Sequence, residues 1–219
     1  MLRSLGSSAV TRRTPRTHRA AVLSTIVVVT AVLAGCALGP RPTLTDERRV
    51  DDSAIEAVLD RLDGAGATSF TATYAITPTL ADAVPAEVTV THSPASSHVV
   101  VASGGAVTVE YVTTDGEQRT CAAGQSDCVA GLDETRISNL AVSSSFWGPS
   151  SAQKLRTDAT RNVADATAST EILAGETATC AAVPIGPTGI PTVYCAVDGG
   201  PLAAYRGADV TIELISYTP

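Results

Sequence analysis

The sequence predicts an α+β fold, in which one large, strongly curved antiparallel sheet forms a half-barrel covered by an N-terminal helix and a short helical excursion. Two observations predict this class. One amphipathic stretch with helical periodicity opens the domain, and many short runs of alternating apolar and polar residues follow it, separated by Gly, Pro and Ser turns. We expect about seven to nine strands, which pair as hairpins because neighbouring runs are close in sequence.

The helix is predicted over residues 53–62, where apolar side chains recur on one helical face. Ser53 with Glu56 three residues later has the form of a capping box, and Gly64 is expected to end the helix in a left-handed conformation. This face must be buried, so we expect it to cover the sheet and to line any ligand cavity. Its residues are Ile55, Val58, Leu59 and Leu62.

A meander of strands is predicted between residues 70 and 111, because apolar and polar residues alternate there. Its breaks are Ser93-Pro94 and Gly104-Gly105, which are typical turn sequences. One side of these strands is more apolar and is expected to face inward. The inward candidates are Phe70, Tyr74, Ile76, Val88, Val90, Val109 and Tyr111.

Three further strands are predicted at residues 192–197, 202–205 and 210–217. In the last of them the apolar positions change phase between 214 and 215, which predicts a β-bulge. Residues 137–161 are predicted to be loop and short helix, interrupted by Phe146-Trp147-Gly148-Pro149.

The first 35 residues have the layout of an export signal, with five Arg, no acidic residue and an uncharged segment over residues 20–34. Leu33-Ala34-Gly35-Cys36 at its end resembles the bacterial lipobox, in which Cys36 receives the lipid. The alternative is an uncleaved single-span anchor over residues 20–39, in which Cys36 is incidental. Both interpretations place the domain at the outer face of the cytoplasmic membrane. Arg12-Arg13 leaves the choice between the general and the twin-arginine export routes open.

Residues 36–50 are predicted to be a lipid anchor and flexible tether, because Gly39, Pro40 and Pro42 interrupt a stretch without apolar periodicity. The folded domain is expected over residues 51–219. After the leader, ten of the 15 basic residues remain against all 22 acidic ones, a net charge of −12 for residues 36–219. Because such a surface repels phosphate backbones, no nucleic-acid partner is expected.

Four cysteines remain after Cys36, and an even number outside the cytoplasm favours disulfides. Of the three possible connectivities, local pairing of Cys121 with Cys128 and of Cys180 with Cys195 is the economical one, since each pair flanks a turn-forming segment. A four-cysteine zinc site is the alternative, but the close C-x-x-C pairs that zinc sites use are missing. No metal or other cofactor is predicted.

Catalytic motifs are sparse. Ser151-Ala152-Gln153-Lys154 fits the S-x-x-K motif of serine acyl-enzymes, but Lys154 is the only lysine and no S-D-N triplet is present. A solvated helix turn is therefore the favoured interpretation. His92 and His98 are the only histidines after the leader. They offer little basis for a His-dependent catalytic triad or for a zinc site. We expect no enzyme activity, and a serine acyl-enzyme at Ser151 is a distant third possibility.

These features together resemble the LolA-like lipoprotein carriers, and in particular the LppX/LprG-type lipoproteins of high-GC Gram-positive envelopes. The resemblance rests on the lipobox, the tether, the helix, the Phe70-x-x-x-Tyr74 strand, the meander and the segment from Tyr194 to Leu202. It covers residues 51–219 and implies a curved sheet that half-wraps an apolar cavity, lidded by helices, in which acyl chains or hydrophobic molecules are carried. The four cysteines and the scarcity of aromatic residues depart from that pattern.

One helical face covers only part of a sheet of this size, so the remaining apolar surface must be covered or occupied. Either a hydrophobic molecule fills a cavity between helix and sheet, or residues 137–161 close the core. In the first case Phe146 and Trp147 form a lid or a membrane-contact lip; in the second they are exposed on a loop.

The leading hypothesis is a monomeric, lipid-anchored extracytoplasmic protein that binds or carries a lipid or other hydrophobic molecule. The alternative is a non-carrier interaction module that regulates a membrane-protein partner through its acidic surface.

Overall fold

The computed structural model describes residues 51–79, 83–123, 128–186 and 190–219. Cys36, the apolar segment over residues 20–39 and the tether lie outside the described residues. Within the described ranges, no helix has the length and apolar character needed to cross a membrane.

The described residues form one large, open and curved antiparallel sheet with helices, which confirms the predicted α+β class. It has eleven strands in these ranges, more than expected. The strands are β1 (Phe70–Pro78), β2 (Ala86–Ser93), β3 (Ser96–Ser103), β4 (Ala106–Thr114), β5 (Glu117–Ala122), β6 (Cys128–Ala130), β7 (Thr167–Leu173), β8 (Glu176–Pro184), β9 (Pro191–Val197), β10 (Leu202–Arg206) and β11 (Val210–Thr218).

Two α-helices accompany the sheet, α1 (Ser53–Gly64) and α2 (Pro149–Ala159). Two 3-10 helices lie at Ala65–Ala67 and Glu134–Leu140. The predicted covering helix and the predicted helix near Ser150 are therefore both present, each one turn or less longer than expected.

The sheet is built outward from its centre. β1 pairs with β11, and the two meanders that start from this pair end at β6 on one edge and β7 on the other, in the order β6-β5-β4-β3-β2-β1-β11-β10-β9-β8-β7. Residues 131–166, the crossover segment, connect the two edges and carry the second 3-10 helix and α2. We call the face of the sheet covered by α1 and the crossover segment the inner face.

Both predicted ends of the first helix need correction. Its N-cap is Asp52 and not Ser53, because the Asp52 carboxylate accepts hydrogen bonds from the backbone N–H groups of Ala54 and Ile55. Gly64 has helical φ and ψ of −71° and −20°, so it does not form the left-handed stop, and the chain continues into the 3-10 turn that begins at Ala65.

The predicted bulge in the last strand is present. Thr73 pairs with Ser216 and Tyr74 pairs with Leu214, so Ile215 is the extra residue on β11. Leu214 is buried and Ile215 is about half exposed, which is the phase change seen in the sequence.

One hydrophobic cluster fills the space between the inner face and its cover. The covering face of α1 packs on β7, β8 and β9, and its four apolar residues are buried. The helix thus covers the C-terminal half of the sheet, and the crossover segment must cover the other half.

Candidate functional site

The crossover segment covers the N-terminal half of the sheet with two aromatic side chains. Phe146 packs edge-on against Tyr74 of β1, with ring centroids 4.9 Å apart. Trp147 packs edge-on against Phe70, with ring centroids 5.5 Å apart, and lies in a tilted arrangement against His92 of β2, with centroids 4.3 Å apart. These contacts place both side chains against the centre of the inner face.

Phe146 and Trp147 are only 3% and 4% exposed. The expectations that they lie exposed on a loop or form a membrane-contact lip are therefore wrong, whereas the lid stays a prediction. They are buried because they pack against the rings of Phe70, Tyr74 and His92, on the part of the inner face that α1 does not cover.

The backbone around Trp147 is fixed from two sides. The carbonyl of Trp147 accepts a 2.6 Å hydrogen bond from the N–H of Leu202 on β10. Gly148 lies so close to α1 that a Cβ there would stand 3.2 Å from the Cβ of Ala65 and 3.4 Å from the carbonyl oxygen of Leu62. A glycine after the Phe-Trp pair thus allows the crossover segment to approach the helix.

Beside Trp147, an open cavity of about 380 Å³ remains between the inner face of β3 to β5 and the crossover segment. Its apolar lining is Val99, Tyr111, Leu132 and Trp147. Its polar lining is Ser97, Thr113, Gln118, Glu134, Ser144 and Ser145. The cavity is therefore amphipathic, and Glu134 is the one carboxylate in this lining.

The outer wall of the cavity is formed by residues 131–134, the wall segment, which hydrogen bonds hold to the sheet. The Thr120 hydroxyl donates to the Gly131 carbonyl and accepts from the N–H of Asp133, both at 2.8 Å. The Tyr111 hydroxyl donates to the Asp133 carbonyl at 2.9 Å. The wall segment therefore depends on β4 and β5 for its position.

The Tyr111 hydroxyl and the Glu134 carboxylate are polar groups of the cavity. Burial, and then the nearby carboxylates of Glu134 and Asp133, raise the pKa of Tyr111 to about 12, so its hydroxyl is neutral near pH 7. Glu134 Oε1 accepts hydrogen bonds from the N–H and the hydroxyl of Ser144, both at 2.7 Å. The cavity thus combines an apolar side with a fixed hydrogen-bonding side.

Of the predicted cavity residues, Tyr111 and Trp147 line this cavity, and Phe146 lines a smaller one of about 130 Å³ beside α2. The other candidates pack in the hydrophobic cluster: Ile55, Val58, Leu59, Leu62, Phe70, Tyr74, Ile76, Val88, Val90 and Val109. The sequence does not identify Val99 as a cavity residue, although it lies within the predicted meander. It does not identify Leu132 or Glu134 either, because neither residue belongs to an alternating apolar pattern.

One buried polar group lies close to the Phe146 ring. The Tyr74 hydroxyl has no hydrogen-bond partner among the described residues. Burial, and to a lesser degree Tyr217, raise the pKa of Tyr74 far above its usual value, so it stays neutral.

The four cysteines form the two local disulfides that the sequence favours, Cys121–Cys128 and Cys180–Cys195. Because all four sulfurs are bonded in pairs, none is left as a thiolate for the alternative zinc site. Cys180 and Cys195 are completely buried, and a carboxylate oxygen of Glu171 lies within 4.8 Å of both sulfurs.

The S-x-x-K motif lies in the first turns of α2. The Ser151 hydroxyl donates to the backbone carbonyl of Phe146, and the side chain is buried. The Lys154 ammonium lies 5.4 Å above the ring of Tyr205. The hydroxyl is therefore engaged with the backbone, and the geometry does not favour it as a nucleophile activated by the lysine.

The two histidines lie on opposite faces of the sheet. His92 pairs with Ser97 and Thr91 pairs with His98, so the histidines are one position out of register. His98 Nε2 lies 2.8 Å from Glu110 Oε2, and His92 Nε2 lies 3.3 Å from the carbonyl of Gly66. They do not form a joint ligand pair.

No family model and no curated protein sequence matches the chain. Solved structures that align with it include MucB, at 16% identity and a TM-score of 0.42 over 77% of this chain. LprF from Mycobacterium bovis aligns at 14% identity and a TM-score of 0.39 over 73%, and the Mycobacterium tuberculosis lipoprotein LppX at 16% and 0.38 over 74%. The chain spans 59% of the MucB chain, 90% of LprF and 94% of LppX. LppX is of the type that the sequence resembles, and MucB is also known in complex with MucA from Pseudomonas aeruginosa.

Proposed function

We propose that this chain is an extracytoplasmic, lipid-anchored binding protein that takes the narrow apolar part of one lipid or other amphiphile into the cavity beside Trp147. The single observation that carries the proposal is the 380 Å³ amphipathic cavity between the inner face and the wall segment. Ligand pockets range from roughly 300 to 1,000 Å³, so this cavity suits one chain or ring system rather than several.

The lining supports an amphiphile over a purely apolar ligand. Val99, Leu132 and the Trp147 ring offer contact to an acyl chain or ring, while Thr113, Gln118 and the serines offer hydrogen bonds to a polar group. Trp147 joins the cavity lining to the hydrophobic cluster, because its ring is packed against Phe70 and His92. The ligand would therefore enter from the solvent side, with its apolar end against the indole.

The membrane location rests on the sequence. The basic leader and the Leu33-Ala34-Gly35-Cys36 lipobox favour export and lipid modification at Cys36. Several acyl chains on one cysteine would hold the domain near a membrane surface, where amphiphiles are concentrated.

Native mass spectrometry of the full chain, purified from a membrane fraction, tests the proposal. We expect one amphiphile adduct per chain, and competition by a fluorescent polyene fatty acid. In Thr113→Trp the new ring fills the mouth of the cavity, so the adduct should be lost. Val112→Trp is the matched control, because it places the same ring on the opposite face of β4, and it should retain the adduct. No adduct and no binding of the fatty acid in the parent chain would overturn the proposal.

A second candidate is the interaction module, and the edge strand β7 favours it. This strand pairs with β8 on one side and forms one edge of the sheet in the described residues, with Ile172 68% exposed. An exposed edge offers backbone groups to an added strand of a membrane-protein partner. Ile172→Lys should abolish crosslinking to such a partner and leave amphiphile binding unchanged, whereas Thr113→Trp should do the reverse.

A further inference from the structure

We propose that the Cys121–Cys128 disulfide is a redox-sensitive site that a dithiol reduces selectively, and that its reduction loosens the wall segment beside the cavity. Cys180–Cys195 is then the structural disulfide that survives. The effect on ligand access rests on the function proposed above, whereas the order of reduction does not.

The first disulfide is accessible. All three residues of β6, which begins with Cys128, are exposed, while its partner Cys121 is buried. Thiol–disulfide exchange requires a thiolate to reach one of the two sulfurs. Cys128 is an exposed residue and offers that approach.

The second disulfide is protected by burial. Cys180 and Cys195 are completely buried, and the nearby Glu171 carboxylate is fixed by two hydrogen bonds of 3.0 and 2.9 Å from Arg206. A thiolate must reach a sulfur to attack it, so complete burial of both residues denies it that approach.

The exchange balances with a dithiol as the reductant. One thiolate of the dithiol attacks the Cys128 sulfur, which breaks the bond to Cys121 and forms a mixed disulfide. Cys121 leaves as a thiolate and takes up a proton from water. The second thiol of the reductant then attacks the mixed disulfide and releases Cys128, so two electrons pass to the protein and the reductant becomes a disulfide.

Reduction reaches the cavity through the chain that follows β6. After the disulfide opens, β6 is held to β5 by the backbone pairing of three residues, and the wall segment begins directly after it. Two of the hydrogen bonds that hold the wall segment join Gly131 and Asp133 to Thr120, the residue before Cys121. Loss of the covalent link therefore removes a restraint adjacent to these bonds.

The order of reduction is measured on the full chain with graded dithiothreitol, alkylation of the free thiols and peptide mass spectrometry. We expect half-labelling of Cys121 and Cys128 at a dithiothreitol concentration at least about tenfold below that for Cys180 and Cys195. Equal concentrations, or earlier labelling of the second pair, would overturn the proposal.

The effect on the cavity is measured through Trp147, the only tryptophan of the chain. At the selective dithiothreitol concentration, quenching of its fluorescence by acrylamide should rise by about twofold or more, because the loosened wall exposes the indole. Cys121→Ser/Cys128→Ser should show the high quenching without reductant and no response to it. If acrylamide quenching of Trp147 stays as low as in the oxidised protein, reduction of the disulfide does not loosen the wall segment. A chain that binds no amphiphile but reduces in the expected order contradicts only the proposed function.

Discussion

The Tyr194 hydroxyl donates a hydrogen bond to the carboxylate of Asp158, and both side chains are buried. Tyr194 lies on β9 and Asp158 lies in the last turn of α2, so this bond joins the end of the crossover segment to the sheet. The Tyr194 ring also packs edge-on against Tyr205, with centroids 5.1 Å apart. The pair thus fixes the crossover segment at the end opposite to the wall segment.

Removal of this bond should destabilise the domain. In Tyr194→Phe the buried Asp158 carboxylate loses its donor, so we expect the free energy of unfolding to fall by about 2 kcal/mol. Tyr205→Phe is the matched control, because its hydroxyl donates a 3.1 Å bond to Asp209 at a partly buried site, and it should cost about half as much. Urea denaturation followed by circular dichroism measures both, and equal losses would contradict the assigned role of Asp158.

The N-cap assignment makes a second prediction. Asp52 accepts hydrogen bonds from Ala54 and Ile55 through one oxygen and from the N–H of Ala166 through the other. Asp52→Ala should therefore lower the free energy of unfolding by at least about 1 kcal/mol. Ser53→Ala should change it by less than about 0.5 kcal/mol. The reverse order in a denaturation experiment would restore Ser53 as the cap.

Two glycines of different environments should respond in opposite directions. Gly64 is helical with open space around it, so Gly64→Ala should stabilise the protein by about 0.5–1 kcal/mol. At Gly207 a Cβ would stand 2.1 Å from the Tyr205 hydroxyl, so Gly207→Ala should destabilise it by about 1–3 kcal/mol. Thermal unfolding of the two variants beside the parent chain checks the signs. A destabilised Gly64→Ala would indicate that the helix ends as the sequence suggests.

Stability should decline at alkaline pH. The pKa of Tyr111 is raised from 10 to about 12, so its contribution is fully present below pH 10 and is lost as the pH rises through 12. The pKa values of Tyr74, Tyr194 and Tyr205 are raised further, mainly by burial, and add to the decline. Tyr111→Phe should reduce the slope between pH 10 and 12 by up to about 1.4 kcal/mol per pH unit. Urea midpoints measured from pH 8 upward test this, and an unchanged slope would count against a buried, neutral Tyr111.

The Trp147 side chain should limit the size of the cavity. Trp147→Ala removes a ring that packs against Phe70 and His92, so it should cost about 3–5 kcal/mol of stability. The folded fraction of this variant should also bind amphiphiles that are too bulky for the parent chain, because the cavity then extends to the centre of the inner face. Trp147→Phe should show both effects to a smaller degree. Titration with a fluorescent fatty acid, corrected for the folded fraction, measures the change, and weaker binding by the alanine variant would show that Trp147 is a ligand contact first.

The central strands could be predicted because their side chains alternate against a buried inner face. The phase change before Ile215 even identified the bulge in β11. The hairpin of β7 and β8 was missed, because Thr167–Leu173 is exposed on most positions and has no apolar period. An edge strand owes its conformation to its partner, so its own sequence carries little signal.

The site could be predicted only in part, because it depends on contacts between distant segments. The sequence gives no indication that residues 131–166 run from one edge of the sheet to the other, and this path is what buries Trp147. The C-terminal end of α1 also depends on contacts with residues that are distant in the sequence. Gly64 resembles a stop in isolation, but Ala65 is buried against Gly148 and Gly200, and this packing extends the helical turn.

The pairing of β1 with β11 has a consequence for how the domain forms. The first and the last strand of the described fold meet at the middle of the sheet, so the hydrogen-bonded ladder between the two meanders is incomplete until Val210–Thr218 is available. A ribosome or a translocation channel that still holds those nine residues prevents completion of the hydrogen-bonded ladder. Such long-range closure slows folding, because the two strands that meet at the centre of the sheet are separated by the whole of the intervening chain.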